Sequence, residues 1–265
     1  MIDTHAHIND RFCDVSLEET VGGIKKSDLR CVILAASNIE ESKNNVEMAK
    51  SNKGLLWASV GIHPQDTAPE LDLPIEEQII SLEELANLNR EYVVAIGETG
   101  LDYSPPPPEE RERDKDEQEI LFRKQIQLAK KYSFPLIIHA RKSVDEVLGI
   151  LGEYKGLRGV FHCYTGGKKR IKNVLDLGID WYFGIDGNLT YETGLADVVA
   201  AIPKEKLILE TDSPFLTPIP HRGEVNKPDY VKYVYGKVAS IWKLNLEETE
   251  SIVDDNALRL FGLNI

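Results

Sequence analysis

Eight short apolar runs recur along the 265-residue chain, and each is followed by a segment of helical periodicity. The first follows Ile2, and the others span residues 31–35, 55–60, 92–96, 135–139, 159–162, 179–185 and 206–210. The intervening segments have helical spacing at 17–28 (with Ser16 as N-cap), 39–52, a face marked by Leu82, Leu85 and Leu88, then 121–132, 144–154, 170–177 and 195–202. Strands that are apolar almost throughout must be buried on both faces, as in a parallel sheet covered by helices. Two further helices, near 230–242 and 246–261, close the chain. Eight strand–helix units in roughly 250 residues are the size of a (β/α)8 TIM barrel. The expected fold class is therefore α/β, one domain over 1–265, because no break in composition divides the chain. An open doubly wound sheet is the alternative, but it calls for a glycine-rich first turn, and none follows the first strand.

Composition narrows the function classes. The apolar fraction, 42%, suffices for a full core. No apolar run approaches the roughly 18 residues of a membrane span. The start lacks a basic region followed by an apolar stretch, so no secretory signal is expected. Cys13, Cys31 and Cys163 have no CxxC spacing, which suits reduced thiols and a cytoplasmic location. A net charge of −13 argues against a general nucleic-acid binder. It leaves open an enzyme that meets a strand end through a local positive site, which divalent metals can supply.

The polar residues that end the strands carry the chemistry. Strand one ends in His5 and His7, which alternation places on one face. Strand three runs into Gly61-Ile62-His63-Pro64, and strand four into Gly97-Glu98-Thr99-Gly100-Leu101-Asp102. Strand five ends in His139-Ala140-Arg141, strand six in His162, and strand eight in Glu210-Thr211-Asp212-Ser213-Pro214. Of six histidines, only His221 lies away from a strand end, in the loop after strand eight. In a barrel these ends converge on one mouth, where active sites form. Four histidines (His5, His7, His139, His162) and two carboxylates (Glu98, Asp212) are too many for one tetrahedral ion, so two divalent metal ions are expected. Glu98, in the middle of the strand order, can bridge them. Asp212 can bind one ion and accept a proton from the attacking water. His63 suits a supporting or substrate-contacting place, and Asp3 a structural or supporting one, where it can orient a ligand histidine through its second ring nitrogen. Asp102 suits a structural or supporting place. Arg141 and Arg222 are forked donors for an anionic substrate. The reaction class is metal-assisted hydrolysis, and spacing alone does not name the bond.

Together these stretches resemble the TatD-type metal-dependent deoxyribonucleases, a branch of the amidohydrolase-like barrels. The matching stretches are Asp3-Thr4-His5-Ala6-His7, Gly61-Ile62-His63-Pro64, Gly97 to Tyr103, His139-Ala140-Arg141, His162 to Gly166, Glu210 to Pro214, His221-Arg222-Gly223 with Asn226 and Pro228, and Asp255 to Phe261. The resemblance implies one ion on His5, His7, Glu98 and Asp212, and another on Glu98, His139 and His162. It also implies phosphate contacts from His63, Arg141 and Arg222. It further implies 3′-to-5′ exonuclease action on DNA, sometimes RNA, with magnesium, manganese or zinc. No protein partner is implied. Some relatives are linked instead to removal of D-amino acids from tRNA.

Two departures stand out. The proline-rich, charged stretch between Tyr103 and Gln118 is longer than usual, follows strand four and can overhang the site. Lys227 stands before Pro228, where a polar or acidic residue is frequent. Tyr103, Tyr164 and Phe215 lie beside the ligand motifs, and either stack substrate bases or pack the barrel rim. The rival functions are an ester or amide hydrolase on the same metals, such as a D-aminoacyl-tRNA deacylase, and a non-catalytic barrel that only binds a partner.

Overall fold

Eight parallel strands follow one another in chain order round a nearly closed barrel, each paired with its sequence neighbours. The computed structural model describes residues 1–8, 16–66, 73–105 and 113–265. The strands are β1 (Ile2–Ala6), β2 (Cys31–Leu34), β3 (Leu56–Val60), β4 (Val93–Asp102), β5 (Leu136–Arg141), β6 (Gly159–Phe161), β7 (Trp181–Ile185) and β8 (Leu207–Leu209). Between them run α1 (Leu17–Lys26), α2 (Ile39–Ser51), α3 (Ile75–Leu88), α4 (Lys115–Tyr132), α5 (Val144–Gly152), α6 (Gly167–Asp176) and α7 (Leu195–Ala201). The chain closes with α8 (Val231–Trp242) and α9 (Leu246–Phe261). The seam lies just past the two end strands. There Asp212 N donates to His5 O at 2.9 Å, and His7 N to Ser213 O at 2.7 Å. An open doubly wound sheet would leave β1 and β8 apart.

Local chemistry explains the helix starts. Ser16 and Asn245 form capping boxes with Glu19 and Glu248, while Asn38 and Asp114 cap α2 and α4. Each such cap contributes about 1 kcal/mol. The polar half of the stretch before Gln118 is thus the capped start of α4; residues 106–112, like Cys13, lie outside the described residues. In α3 the expected face is corrected. Gln78, Leu82 and Ala86 are buried, Leu85 is partly buried, and Leu88 is 80% exposed. Residue i+6 is turned about 240° from residue i at 3.6 residues per turn, so Leu88 cannot share the face of Leu82.

β4 is longer than its apolar run. It continues through Asp102, pairing Thr99 with Ile138, Gly100 with His139 and Asp102 with Arg141. The register shifts by one residue between Ile96 and Thr99, a bulge that re-aims Glu98.

The barrel interior is packed by Ile2, Cys31, Ile33, Ala95, Ile137, Val160, Tyr182 and Ile208. α9 lays Ala257, Leu260 and Phe261 against this set, at the end where the strands begin. Nearby, Tyr235 on α8 donates to Asp254 Oδ1 at 2.7 Å and takes the Ile2 amide at 3.2 Å. Burial, and then the Asp254 carboxylate, push the Tyr235 phenol well above its usual range. Above a pH of about 10 an unfolded tyrosine loses its proton while the folded one keeps it. Unfolding then releases a proton, so this contribution to stability is full below that pH and is lost as pH rises through the raised folded value. Urea titrations between pH 8 and 11 should show this fall. Tyr235→Phe should shallow the slope by up to about 1.4 kcal/mol per pH unit. An unchanged slope would refute the assignment. Among the described residues, no helix is long and apolar enough to cross a membrane.

Candidate metal centre

Period-two alternation carries the inner layer upward to the mouth. Two residues beyond Ile137, Val160 and Ile208 stand His139, His162 and Glu210, so the side chains above the apolar plug are ionisable. His5 and His7 join them from β1, with their Nε2 atoms 3.2 Å apart.

Glu98 stands at the centre. Its Oε2 lies 3.5 Å from His5 Nε2 and 3.6 Å from His7 Nε2. Asp212 Oδ1 lies 3.6 Å from each of the same two nitrogens. Donors about 2.1 Å from one ion in a tetrahedral arrangement stand about 3.4 Å apart. The spacings among these four side chains fit a shared divalent ion. The other oxygen, Oε1, faces a second set: His139 Nδ1 at 2.6 Å, His162 Nε2 at 3.0 Å and His63 Nε2 at 3.8 Å. Donor triads suited to a metal include His5–Glu98–His162 and His5–His7–Asp212.

Supporting groups set which nitrogens are available. His139 Nε2 lies 3.0 Å from Asp102 Oδ2, and Ser104 donates twice to Asp102 Oδ1. Asp102 thus claims the Nε2 proton, and Nδ1, which donates to Glu98 Oε1 at 2.6 Å, is the nitrogen that would be left to a bound ion. In His63, Nδ1 accepts from the Gln65 amide at 3.1 Å. Its Nε2 is then the N–H and points into the cluster as a donor. Of the two places open to Asp3, orienting or structural, it takes the structural one. Its carboxylate accepts from His5 N (3.2 Å), Thr211 N (2.9 Å) and Thr211 Oγ1 (2.6 Å), not from an imidazole ring. The backbone donors of the seam reach it first, so it ties β1 to the chain beyond β8.

Electrostatics favour ligand forms in part of the set. Burial and then the neighbouring His162 push His5 down to about 4, and burial with His139 pushes His63 to about 3, so both are neutral near pH 7. Burial opposes ionisation of Glu98, yet His162, His63 and the hydrogen bonds from His139 and His162 hold it well below the carboxylate range. Burial raises Asp212 to about 7 despite the opposing pull of His162 and His7. In His139 and His162 burial lowers proton affinity, but Asp102 and Glu98 around the first, and Glu98 and Glu210 around the second, outweigh it. A divalent ion competes for those lone pairs and displaces the protons.

A cavity of about 550 Å³ opens beside the cluster, lined by His139, Arg141, His162, Asp212 and Phe215 among others. Phe215 is 43% exposed there. Tyr164 is buried instead, edge-on to Phe183 at 4.8 Å with its hydroxyl on Gly167 O, so it packs the barrel. Tyr103 is half-buried under the Lys115 ammonium, 4.1 Å above its ring, and is not among the residues lining this cavity. Arg222 is exposed on the loop after β8, its guanidinium 3.7 Å from the centre of the Tyr191 ring, also outside the lining set. Asp102 and Glu210 are the supporting residues that sequence reasoning left without a firm role. Their one signal was a carboxylate at or beyond the end of an apolar run.

A family model described as TatD related DNase matches residues 2–262. The chain belongs to the TatD family. Among similar proteins, the uncharacterized metal-dependent hydrolase YabD of Bacillus subtilis is 35% identical over 272 residues, covering 100% of both chains. YcfH of Escherichia coli K12, also described as an uncharacterized metal-dependent hydrolase, is 29% identical, covering 100% of this chain and 96% of its own. The crystal structure of the TatD homologue YJJV from Escherichia coli K12 superposes with a TM-score of 0.86 at 25% identity, covering 99% of this chain and 98% of that one. This TatD-family barrel is accordingly a metal-dependent hydrolase, with donor clusters at its mouth suited to the metal.

Proposed function

We propose that this hydrolase holds two divalent ions and cleaves phosphodiester bonds at the 3′ ends of DNA strands, and of RNA where it enters. The observation that carries the reading is Glu98, one buried carboxylate whose two oxygens face two different histidine sets. His5, His7, Glu98 and Asp212 would hold one ion; Glu98, His139 and His162 the other. Magnesium, manganese and zinc all accept such donors to different degrees. Bound there, the ions supply Lewis acidity and make water a nucleophile at neutral pH.

The chain's own residues do the rest. Asp212 accepts the proton of the attacking water, and the negative charge of Glu98 beside it raises its affinity for that proton. Arg141, on the cavity wall, steadies the phosphate charge as a forked donor. The Nε2–H of His63 is aimed to donate to a phosphate oxygen. Arg222, carrying no carboxylate partner among the described residues, adds a further phosphate contact from its loop, with Tyr103 at the outer edge of the substrate path. Phe215 offers a face for a terminal base, worth about 1–3 kcal/mol. Nucleic acid as the substrate is supported by the family's description and by this cavity's pairing of Arg141 with Phe215. A cytoplasmic setting suits the free thiols of Cys31 and Cys163.

The test is turnover of a 5′-labelled single-stranded DNA oligonucleotide with magnesium or manganese. We expect a ladder shortening from the 3′ end. Chelator should abolish it, and Asp212→Asn should slow it by about 10³-fold or more while the barrel stays folded. No ladder from folded, metal-loaded protein would redirect the assignment to ester or amide substrates, beginning with D-aminoacyl-tRNA. Retained cellular function in folded but inactive Asp212→Asn would favour a binding role.

A further inference from the structure

The inner layer has a gap on β7. Two residues beyond Tyr182 the inward position is Gly184, and a Cβ built there would lie 2.7 Å from both carboxylate oxygens of Glu210 and 2.9 Å from its Cδ. The volume that a β7 side chain would fill is taken by a carboxylate from the end of β8. Three strand ends hold that carboxylate. Glu210 N donates to Ile185 O at 3.1 Å, and Tyr164 N donates to Gly184 O at 3.0 Å. Cys163, between the β6 histidine and Tyr164, adopts φ +42°, and its amide donates to Glu210 Oε1 at 2.6 Å. A non-glycine residue in that region costs of order 1 kcal/mol or more, and such strain persists only where surrounding structure enforces it. The other oxygen, Oε2, is buried without a hydrogen-bond donor among the described residues. Packing alone rewards none of this, since an apolar side chain on either strand would fill the space without an unsatisfied charge.

What the arrangement does is place Oε1 3.4 Å from His162 Nδ1, a buried nitrogen with no hydrogen bond among the described residues, so that this carboxylate is its facing acceptor, while His162 Nε2 stands 3.0 Å from Glu98. We infer that Gly184 and Glu210 form a positioning pair for His162, keeping the proton on Nδ1 so that Nε2 presents its lone pair to the second ion. Asp102 faces the corresponding nitrogen of His139 more closely, at 3.0 Å. The inference rests on the two-ion reading above. It adds that the second ion depends on a residue of β7 that bears no side chain.

Metal-stripped wild type, Glu210→Gln and Gly184→Ala would each be titrated with zinc by calorimetry, with circular dichroism confirming the fold. Glu210→Gln preserves shape and the acceptor for Cys163 N, so it remains informative if Gly184→Ala fails to fold. The first equivalent should bind as in wild type. The second should bind about 10–100-fold more weakly in both variants. In the zinc-loaded proteins, the Nδ1–H signal of His162 in ¹⁵N-histidine spectra should be sharp in wild type and lost or shifted in Glu210→Gln. Two equivalents with unchanged affinity in Glu210→Gln would overturn the positioning role, as would equal weakening of both. A wild type that takes up only one equivalent would instead overturn the two-ion reading itself.

Discussion

Glu98→Gln should remove both metal equivalents from a barrel that still folds. The glutamine matches the carboxylate in shape but cannot accept from both histidine sets, because one of its two termini is a donor. His5 and His7 lie 3.5 and 3.6 Å from one oxygen, and His139 and His162 lie 2.6 and 3.0 Å from the other, so whichever way the amide turns, one set meets an NH₂ group. Loss of the shared negative charge would also leave the two proposed ions without their common counter-charge. Metal catalysis supplies several kcal/mol of transition-state stabilisation, and about 4 kcal/mol corresponds to about 10³ in rate. Hydrolysis should therefore fall by at least about that factor, and elemental analysis after dialysis should find less than one equivalent per chain. Near-normal metal content would show that Glu98 does not lie between the ions. The contrast with Glu210→Gln is informative, since that variant should lose the second equivalent alone.

Gly100→Ala should be the most damaging single-methyl change in the barrel. Gly100 has φ +147° and pairs directly with His139, and a Cβ there would fall 1.9 Å from the His139 carbonyl oxygen and 2.9 Å from its carbon. Both atoms belong to backbone, so neither can swing aside. We expect a loss of about 4 kcal/mol in urea unfolding, at the upper end for single substitutions, from close contact and dihedral strain together. Gly54→Ala separates the two terms. Gly54 has φ +82° but open space around its Cβ direction, so dihedral strain alone should cost about 1 kcal/mol. If the two substitutions cost the same, the β4–β5 contact is not as close as described. Any Gly100→Ala protein that does fold should also bind the second proposed ion weakly, because its displaced neighbour is the proposed ligand His139.

The architecture was legible because its driving force is local in sequence. Each apolar run had to be buried on both faces, each following segment had a helical stripe, and a chain of eight such units closes as a barrel with its strand ends at one mouth. The positions of His5, His7, Glu98, His139, His162 and Asp212 followed from that alone. Where the reading went astray, a local pattern met a non-local competitor. Leu88 looked like part of a leucine stripe, yet helical rotation turns it to solvent. β4 was read as ending at its last apolar residue, while pairing with β5 carries it six residues further through glycine and polar side chains. For Asp3 the local pattern leaves an orienting and a structural place open, and donors from a segment more than 200 residues away claim its carboxylate for the structural one.

Sequence by itself thus determined the fold class and which side chains gather at the mouth, because strand periodicity and parallel order leave little choice about where strand-end residues go. Only the tertiary structure decided how they divide. The split of Glu98 between two histidine sets, the turning of His139 by Asp102 and the entry of Glu210 into the space at Gly184 depend on distances between strands. Those distances are set by the bulge in β4, the seam between β1 and β8 and the missing side chain on β7. Each is a packing relation between residues remote in the chain, and no pattern within one strand encodes it.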